Sequence, residues 1–193
     1  MTPRLLIITG TSGVGKTTIS LKLASTFGFR KTASTDTVRE VLRTQYSISE
    51  KPALHRSSFQ NSGGTAVDDW GETVDVVSEG VKAVIDRALR KNRDLLFEGV
   101  HFIPNREVIE AWRNSGGFAK GVVLYVADED RHREMISNRE KHNGKTLGHY
   151  LENFERIRDI QEKMVETGVQ SDWTLIDPTK EGDSMDKISI KMN

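Results

Sequence analysis

The sequence contains no cysteine, which excludes disulfide bonds, thiolate metal sites and thiol catalysis. Lysine plus arginine and aspartate plus glutamate number 28 each, so no overall basic charge favours a nucleic-acid partner. No apolar run approaches the ~20 residues of a membrane span, and the N-terminus lacks the long apolar segment of a signal peptide. We therefore expect a cytoplasmic protein that does not enter membranes. The 193 residues fit one domain, 1–193.

The sequence does contain glycines at the spacing of a phosphate-binding loop. Residues 10–17 read GTSGVGKT and match the phosphate-binding loop G-x-x-x-x-G-K-[ST]. Its glycines permit positive φ and let backbone N–H groups approach phosphate oxygens, while Lys16 adds charge at the β- and γ-phosphates. The Thr17 hydroxyl is suited to bind Mg²⁺. The predicted ATP-binding residues are Gly10, Thr11, Ser12, Gly13, Val14, Gly15, Lys16, Thr17 and Thr18.

The surroundings of this loop predict an α/β fold. Residues 5–8 form a short apolar run suited to a buried parallel strand, and apolar residues recur at helical spacing from Ile19 to Phe27. Similar runs alternate with helical patterns along the whole chain, as in βαβ units. We expect a P-loop NTPase fold with about five parallel strands, helices on both faces, and a lid like that of nucleoside-monophosphate kinases. A ligand should lie beyond the carboxyl ends of the strands.

The individual elements follow from apolar periodicity and from candidate helix caps. Predicted strands cover residues 5–8, 30–34, 94–98, 121–126 and 173–176. Predicted helices begin after the phosphate loop, at Thr37 behind an Asp36 cap, near Gly71, at Pro104, at Asp128 and near Leu147. Between Tyr46 and Asp69 the sequence is polar and irregular, which is typical of a functional or mobile segment.

Asp36 and Arg39 follow the second predicted strand and lie one helical turn apart. At this position a carboxylate can orient or deprotonate an acceptor hydroxyl, and an arginine can bind an acidic substrate through two hydrogen bonds. The alternative is a helix-capping aspartate beside a solvated arginine. Next to a phosphate loop we favour the functional interpretation, in which Asp36 and Arg39 bind the acceptor.

Glu98 ends the third predicted strand, where an acid after three apolar residues is costly to bury without a partner. We expect it to hold Mg²⁺, directly or through water, together with Thr17 and with Asp36 as a further candidate ligand. Gly99 would let the backbone pass close to a ligand. His101 is a candidate donor to a substrate phosphate or carboxylate, although a lone loop histidine is as often a satisfied polar residue.

A charged helix and the break after it, residues 131–147, carry five lysines and arginines and two histidines at the place where P-loop kinases have a lid. Arg133 and Arg139 are the candidates for stabilising the transferred phosphoryl group. The alternative is a solvated helix face, because acidic residues are interleaved. Further along, Arg156 and Arg158 are explained by ion pairs with nearby glutamates at i, i+4 spacing.

The sequence resembles the 2-phosphoglycerate kinase family of P-loop kinases in five blocks. These are GTSGVGKTT at 10–18, STDTVREVLR at 34–43, EGVHFIP at 98–104, the pair at 132–133, and YLENFERIRDIQ at 150–161. The resemblance implies phosphoryl transfer from ATP to the 3-hydroxyl of 2-phosphoglycerate, which gives 2,3-bisphosphoglycerate. Such kinases often carry an extra N-terminal nucleotide-sensing domain. The phosphate loop here begins at residue 10, so we expect the single-domain form.

Two other interpretations stay open at this point. The acceptor could be a sugar acid or a polynucleotide 5′-hydroxyl, since Asp36 and Arg39 also resemble the acceptor sites of those kinases. A regulatory nucleotide switch is the other, because residues 68–71 match D-x-x-G. That match follows a loop rather than a strand, and the sequence has no N-K-x-D motif for reading guanine.

Overall fold

A computed structural model describes residues 2–143, 148–180 and 188, with the side chains of 140–143 outside the description. The strands are β1 (Arg4–Thr9), β2 (Thr32–Ser34), β3 (Leu95–Gly99), β4 (Phe118–Leu124) and β5 (Thr174–Ile176). The helices are α1 (Lys16–Phe27), α2 (Thr35–Arg43), α3 (Ala66–Arg90), α4 (Arg106–Asn114), α5 (Glu129–Asn143) and α6 (Phe154–Gln170). Short 3-10 turns occur at Pro52–His55 and Leu151–Asn153.

The five strands form one parallel sheet in the order β2-β3-β1-β4-β5. Glu98 on β3 is in register with Ile8 on β1 and with Ser34 on β2. Because the strands are parallel, their carboxyl ends lie along the same edge, so the phosphate loop and the residues after β2 and β3 meet there.

The alternation of buried residues along β1 divides the core between the two faces of the sheet. Leu5 and Ile7 belong to an apolar cluster that includes residues of α3, α4 and α6. Leu6 and Ile8 belong to a second cluster on the opposite face, with Leu23 of α1. Since side chains of a strand alternate between faces, helices cover both sides of the sheet, and the predicted α/β P-loop fold is confirmed.

Several predicted boundaries were wrong, and each error has a local cause. The N-cap of α2 is Ser34, whose hydroxyl accepts from the Thr37 amide at 3.0 Å, so Asp36 lies in the first turn and is not the cap. Helix α3 begins at Ala66, earlier than predicted, because Thr65 and Asp68 form a capping box. Helix α4 begins at Arg106 after an Asn105 cap.

The long irregular segment is shorter than the sequence suggested. Residues 66–69 already belong to α3, and a 3-10 turn interrupts the rest. The D-x-x-G match at 68–71 therefore lies inside a helix, which leaves the switch interpretation without the loop that it requires. Leu147, the predicted start of the last helix, lies outside the described residues; α6 begins at Phe154. Within the described ranges, no helix is long and apolar enough to cross a membrane.

Candidate active site

The loop after β1 has the backbone that the glycine pattern demands. Gly13 and Gly15 have φ of 85° and 80°, in the left-handed region that other residues rarely adopt. Gly15 is the N-cap of α1 and offers no side chain to the first turn. The unpaired N–H groups of that turn, together with the positive end of the helix dipole, form an anion-binding site.

Lys16 lies at this helix start with its ammonium group 2.7 Å from the Thr11 carbonyl oxygen. Burial lowers the pKa of Lys16 to about 8, while the charges of Glu98 and Asp36 oppose that shift. The Thr11 hydroxyl is buried and has no hydrogen-bond partner among the described residues. A desolvated cation next to unpaired donors is the expected environment for a polyphosphate, whose charge would stabilise the protonated lysine.

Glu98 is half-buried at the carboxyl end of β3. Burial raises the pKa of Glu98, and the nearby Asp36 charge adds to the rise, whereas Lys16 and Arg139 oppose it. Thr17 is exposed in the first turn of α1. One hydroxyl and one carboxylate are a donor set that suits Mg²⁺, which binds oxygen and completes its shell with phosphates and water. These residues therefore fit the ion that the phosphate loop implies.

Gly99 brings β3 and α2 into direct contact. A Cβ at this position would overlap the Thr35 hydroxyl, so only glycine permits the approach. The contact places His101 with its Nδ1 3.2 Å from the Thr35 hydroxyl and 3.6 Å from Asp36 Oδ1. His101 is 2% exposed, and this burial lowers its pKa to about 4, against the opposing charge of Asp36. The Asp36 side chain itself is exposed.

Arg39 is tied to the segment that follows α2. Its Nε donates to the Leu54 carbonyl at 2.7 Å and its Nη2 donates to the Arg56 carbonyl at 2.9 Å. Burial lowers the pKa of Arg39, with the charge of Asp36 opposing the shift. Two of its donor nitrogens thus hold the 3-10 turn and the residue after it, and Nη1 lies 4.0 Å from Glu40 Oε1.

The two candidate arginines of α5 occupy different environments. Arg133 binds Glu129 at 2.8 Å and Glu155 at 2.9 Å, and its guanidinium lies 3.8 Å from the centre of the Phe154 ring. Arg139 lies over Tyr150, and its charge acts on both Lys16 and Glu98. Arg139 is therefore part of the charged cluster, whereas the contacts of Arg133 join α5 to α6. Lys145 lies outside the described residues.

Sequence reasoning missed the residue that organises the segment before α3. Asp69 is buried and accepts hydrogen bonds from the Ser62 amide at 2.9 Å, the Ser62 hydroxyl at 2.8 Å and the Gly64 amide at 3.2 Å. These bonds outweigh the cost of burial and hold the pKa of Asp69 at about 2. Its ion-pair partner is Arg156, so the predicted pairing of Arg156 with a nearby glutamate was wrong.

Other contacts of this region also differ from the predictions. Arg158 donates to the Val126 carbonyl at 2.7 Å rather than pairing with a glutamate. The Ser57 hydroxyl lies 3.3 Å from His149 Nε2, which joins the segment before α3 to the residues before α6. A run of small polar residues before a capping box was the only sequence signal for this arrangement.

The phosphate loop and the five-stranded parallel sheet define a P-loop α/β fold. The sequence matches the family described as AAA domain over residues 6–161, and the chain belongs to that family. Its solved structural neighbours include shikimate kinase from Acinetobacter baumannii, with a TM-score of 0.55 and 16% identity, covering 94% of this chain and 86% of that one. A chain of the PezAT toxin–antitoxin system of Streptococcus pneumoniae has a TM-score of 0.53 at 17% identity, covering 91% and 67%.

Sequence relatives point to one group of kinases. The 2-phosphoglycerate kinase of Methanococcus maripaludis is 28% identical over 196 residues, covering 95% of this chain and 62% of that protein. The 2-phosphoglycerate kinase of Methanocaldococcus jannaschii is 29% identical over 192 residues, covering 96% and 62%. That of Methanothermobacter thermautotrophicus is 32% identical over 172 residues, covering 82% and 55%. The resemblance seen in the motifs is confirmed, and the chain spans about three fifths of the length of these relatives.

Proposed function

We propose that this protein is an ATP-dependent kinase that transfers the γ-phosphoryl group to the hydroxyl of a small anionic metabolite. The acceptor that we infer is 2-phosphoglycerate, and the product is 2,3-bisphosphoglycerate. The single observation that carries the proposal is the phosphate loop, in which Gly13 and Gly15 adopt positive φ and Lys16 begins α1 at the carboxyl edge of the sheet. The names of the sequence relatives support the choice of acceptor.

On the donor side, backbone amides of residues 11–17 hold the phosphates of ATP, and Lys16 leaves the Thr11 carbonyl to bind the β- and γ-phosphate oxygens. Bound Mg²⁺ would supply charge neutralisation between these oxygens, held by Thr17 with Glu98 or Asp36 in its outer shell. The N-terminal dipole of α1 adds to the positive potential at the phosphates. These groups stabilise the charge of the transferred group without forming a covalent bond to the protein.

On the acceptor side, Asp36 orients the attacking hydroxyl and accepts its proton, while Arg39 Nη1 binds the anionic group of the acceptor. His101 contacts this end of α2, with its Nδ1 3.2 Å from the Thr35 hydroxyl and 3.6 Å from Asp36 Oδ1. Helix α5 and the residues after it act as the lid, and Arg139 brings its charge to the γ-phosphoryl group. Exclusion of water by the lid favours transfer to the acceptor over hydrolysis of ATP.

The test is ADP release from Mg·ATP, measured with no acceptor and with 2-phosphoglycerate, 3-phosphoglycerate, gluconate or a 5′-hydroxyl oligonucleotide. We expect stimulation by 2-phosphoglycerate that the other three do not match. Stimulation by gluconate or by the oligonucleotide would replace the named acceptor and retain the kinase. If a thermal-shift assay shows that ATP binds but no anionic alcohol stimulates release, transfer to a small metabolite is wrong.

A further inference from the structure

A histidine of the charged helix contacts the phosphate loop directly. His132 on α5 is fully buried, and its Nε2 lies 2.9 Å from the Ser12 carbonyl oxygen. A carbonyl oxygen only accepts hydrogen bonds, so Nε2 carries the hydrogen and donates. The two residues are 120 positions apart in the sequence, and no local pattern links them.

This hydrogen bond affects the orientation of the Gly13 amide, which follows the Ser12 carbonyl in the same peptide unit. In a trans peptide unit, the C=O of one residue and the N–H of the next point in opposite directions, because the unit is planar. The structure contains no cis peptide bond among its described residues, so the 12–13 unit is trans. A Ser12 carbonyl held toward α5 therefore turns the Gly13 N–H away from α5, toward the space where phosphates bind. Gly13 has a φ of 85° and little intrinsic conformational preference, so an external constraint is needed to fix this orientation.

The packing around His132 holds the imidazole in this position. Its ring meets the Phe154 ring edge-on at 5.5 Å between centroids. One helical turn further along α5, Ile136 fills the space that a side chain at position 13 would occupy. The imidazole is thus enclosed by α5, α6 and the phosphate loop.

The remaining ring nitrogen indicates which form of the imidazole is present. His132 Nδ1 is buried and has no hydrogen-bond partner among the described residues. A proton there would be an unsatisfied buried donor, which agrees with the lowered pKa of His132. Burial is the main cause, the hydrogen bond to the Ser12 carbonyl opposes the shift, and the charges of Arg158 and Lys16 add to it. His132 is therefore neutral at pH 7 and donates only through Nε2.

We propose that His132 is a positioning residue for the donor site, which uses its Nε2–H to hold the Ser12 carbonyl and thereby preset the Gly13 amide for the phosphates of the nucleotide. The inference rests on the proposed function, because it assumes that the loop binds a nucleotide. It assigns to the charged helix a role in the resting enzyme, before any closure over a substrate.

The test compares two substitutions of His132, one that keeps a hydrogen-bond donor and one that removes it. Glutamine can place its side-chain N–H near the position of His132 Nε2, whereas methionine fills similar volume without a donor. We expect His132→Met to raise the Kd for ADP about tenfold, and His132→Gln to stay within about threefold of the unchanged protein. The KM for the acceptor should be the same in both variants, because neither changes Asp36 or Arg39. Ile85→Val, a buried position on α3 away from the phosphate loop, is the packing control and should lower the Tm without changing the Kd for ADP.

The outcomes separate this inference from the proposed function. If the unchanged protein is folded but binds no ADP, the proposed function fails and the inference fails with it. If the unchanged protein binds ADP and His132→Met binds it equally well, or if both His132 variants weaken binding equally, only the inference is wrong. Should His132→Met not fold, ¹⁵N NMR of the unchanged protein decides: an Nε2–H tautomer at pH 7 supports the inference, and an Nδ1–H tautomer or an imidazolium overturns it.

Discussion

The donor and acceptor sides of the candidate active site are built in different ways. The donor side is one continuous segment, residues 10–18, placed by the strand before it and the helix after it. The acceptor side is assembled from the residues after β2, the residues after β3 and the segment before α3, which meet through Gly99, Arg39 and Asp69. A contiguous site depends mainly on local backbone geometry, whereas an assembled site depends on contacts between distant residues. The two sides should therefore respond to different mutations.

The largest effect is expected on the donor side. Lys16→Ala should lower kcat about 10³-fold, because it removes the cation that stabilises charge on the transferred phosphoryl group. Steady-state ADP release at saturating acceptor measures the loss. Lys22→Ala, an exposed lysine on the same helix, is the matched control and should leave kcat unchanged. A Lys16→Ala protein with normal turnover would remove the basis of the whole mechanism.

On the acceptor side, His101 should make stability depend on pH. Its folded-state pKa of about 4 lies below the value of 6.5 for an unperturbed histidine, so the unfolded chain takes up a proton that the folded chain does not. Stability should fall as the pH drops from 6.5 toward 4, by about 3 kcal/mol from this group. Burial also lowers the pKa of His132, which adds to the loss with the same sign.

Urea unfolding at pH 7, 6, 5 and 4 measures this dependence. The variant His101→Asn should have a shallower slope than the unchanged protein across the interval. His55→Asn, on the 3-10 turn, controls for the loss of a histidine outside the charged cluster. An equal slope in the unchanged protein and in His101→Asn would show that His101 is not held neutral by the fold.

Asp36→Asn should separate the two sides most directly. We expect kcat to fall about 10²-fold, since asparagine cannot accept the proton of the acceptor hydroxyl, while the Kd for ATP stays within twofold. Glu107→Gln, an exposed acid in the first turn of α4, removes an equivalent charge outside the cluster and should have little effect. Calorimetric titration with ATP and initial rates with the acceptor give both values. A loss of ATP affinity equal to the loss of kcat would place Asp36 on the donor side.

The smallest expected effect concerns the organisation of the acceptor side. Asp69→Asn should lower the free energy of unfolding by about 2 kcal/mol, because the buried ion pair with Arg156 and the charge-assisted hydrogen bonds are weakened. The KM for the acceptor should rise a few-fold while the KM for ATP is unchanged. Asp86→Asn, a partly exposed ion-pair residue on the same helix, is the control. Equal changes in both KM values would contradict the division between the two sides.

The sequence predicted the phosphate loop because its strand, glycines, Lys16 and helix are contiguous, whereas the contact of His132 with Ser12 lies outside that local pattern. The order of strand, loop and helix around Lys16 follows from contiguous residues, and so do the five strands and their parallel arrangement. The start of α2 was harder to predict from the sequence, because both Ser34 and Asp36 are residue types that cap helices. The strand before them is only three residues long and adds little periodicity to decide between them.

On the candidate acceptor side, the sequence indicated which residues take part but not which residues they contact. Asp36, Glu98 and His101 were identified from their positions after strands, and the structure brings their side chains into one cluster. The partners of Arg156 and Arg39 could not be read from the sequence. Ion pairs with helical neighbours were equally plausible locally, and the observed partners lie 87 and 15 or more residues away. Only the folded chain selects between such alternatives.

Gly99, at the end of β3, determines how closely α2 approaches the sheet. A single methyl group at position 99 would push Thr35 outward, and α2 would carry Asp36 with it, away from Glu98 and the donor phosphates. Phosphoryl transfer tolerates little added distance between the attacking oxygen and phosphorus. In the proposed transfer, the absence of a side chain at position 99 would therefore set the distance between the two substrates, and with it the size of the alcohol that fits between them.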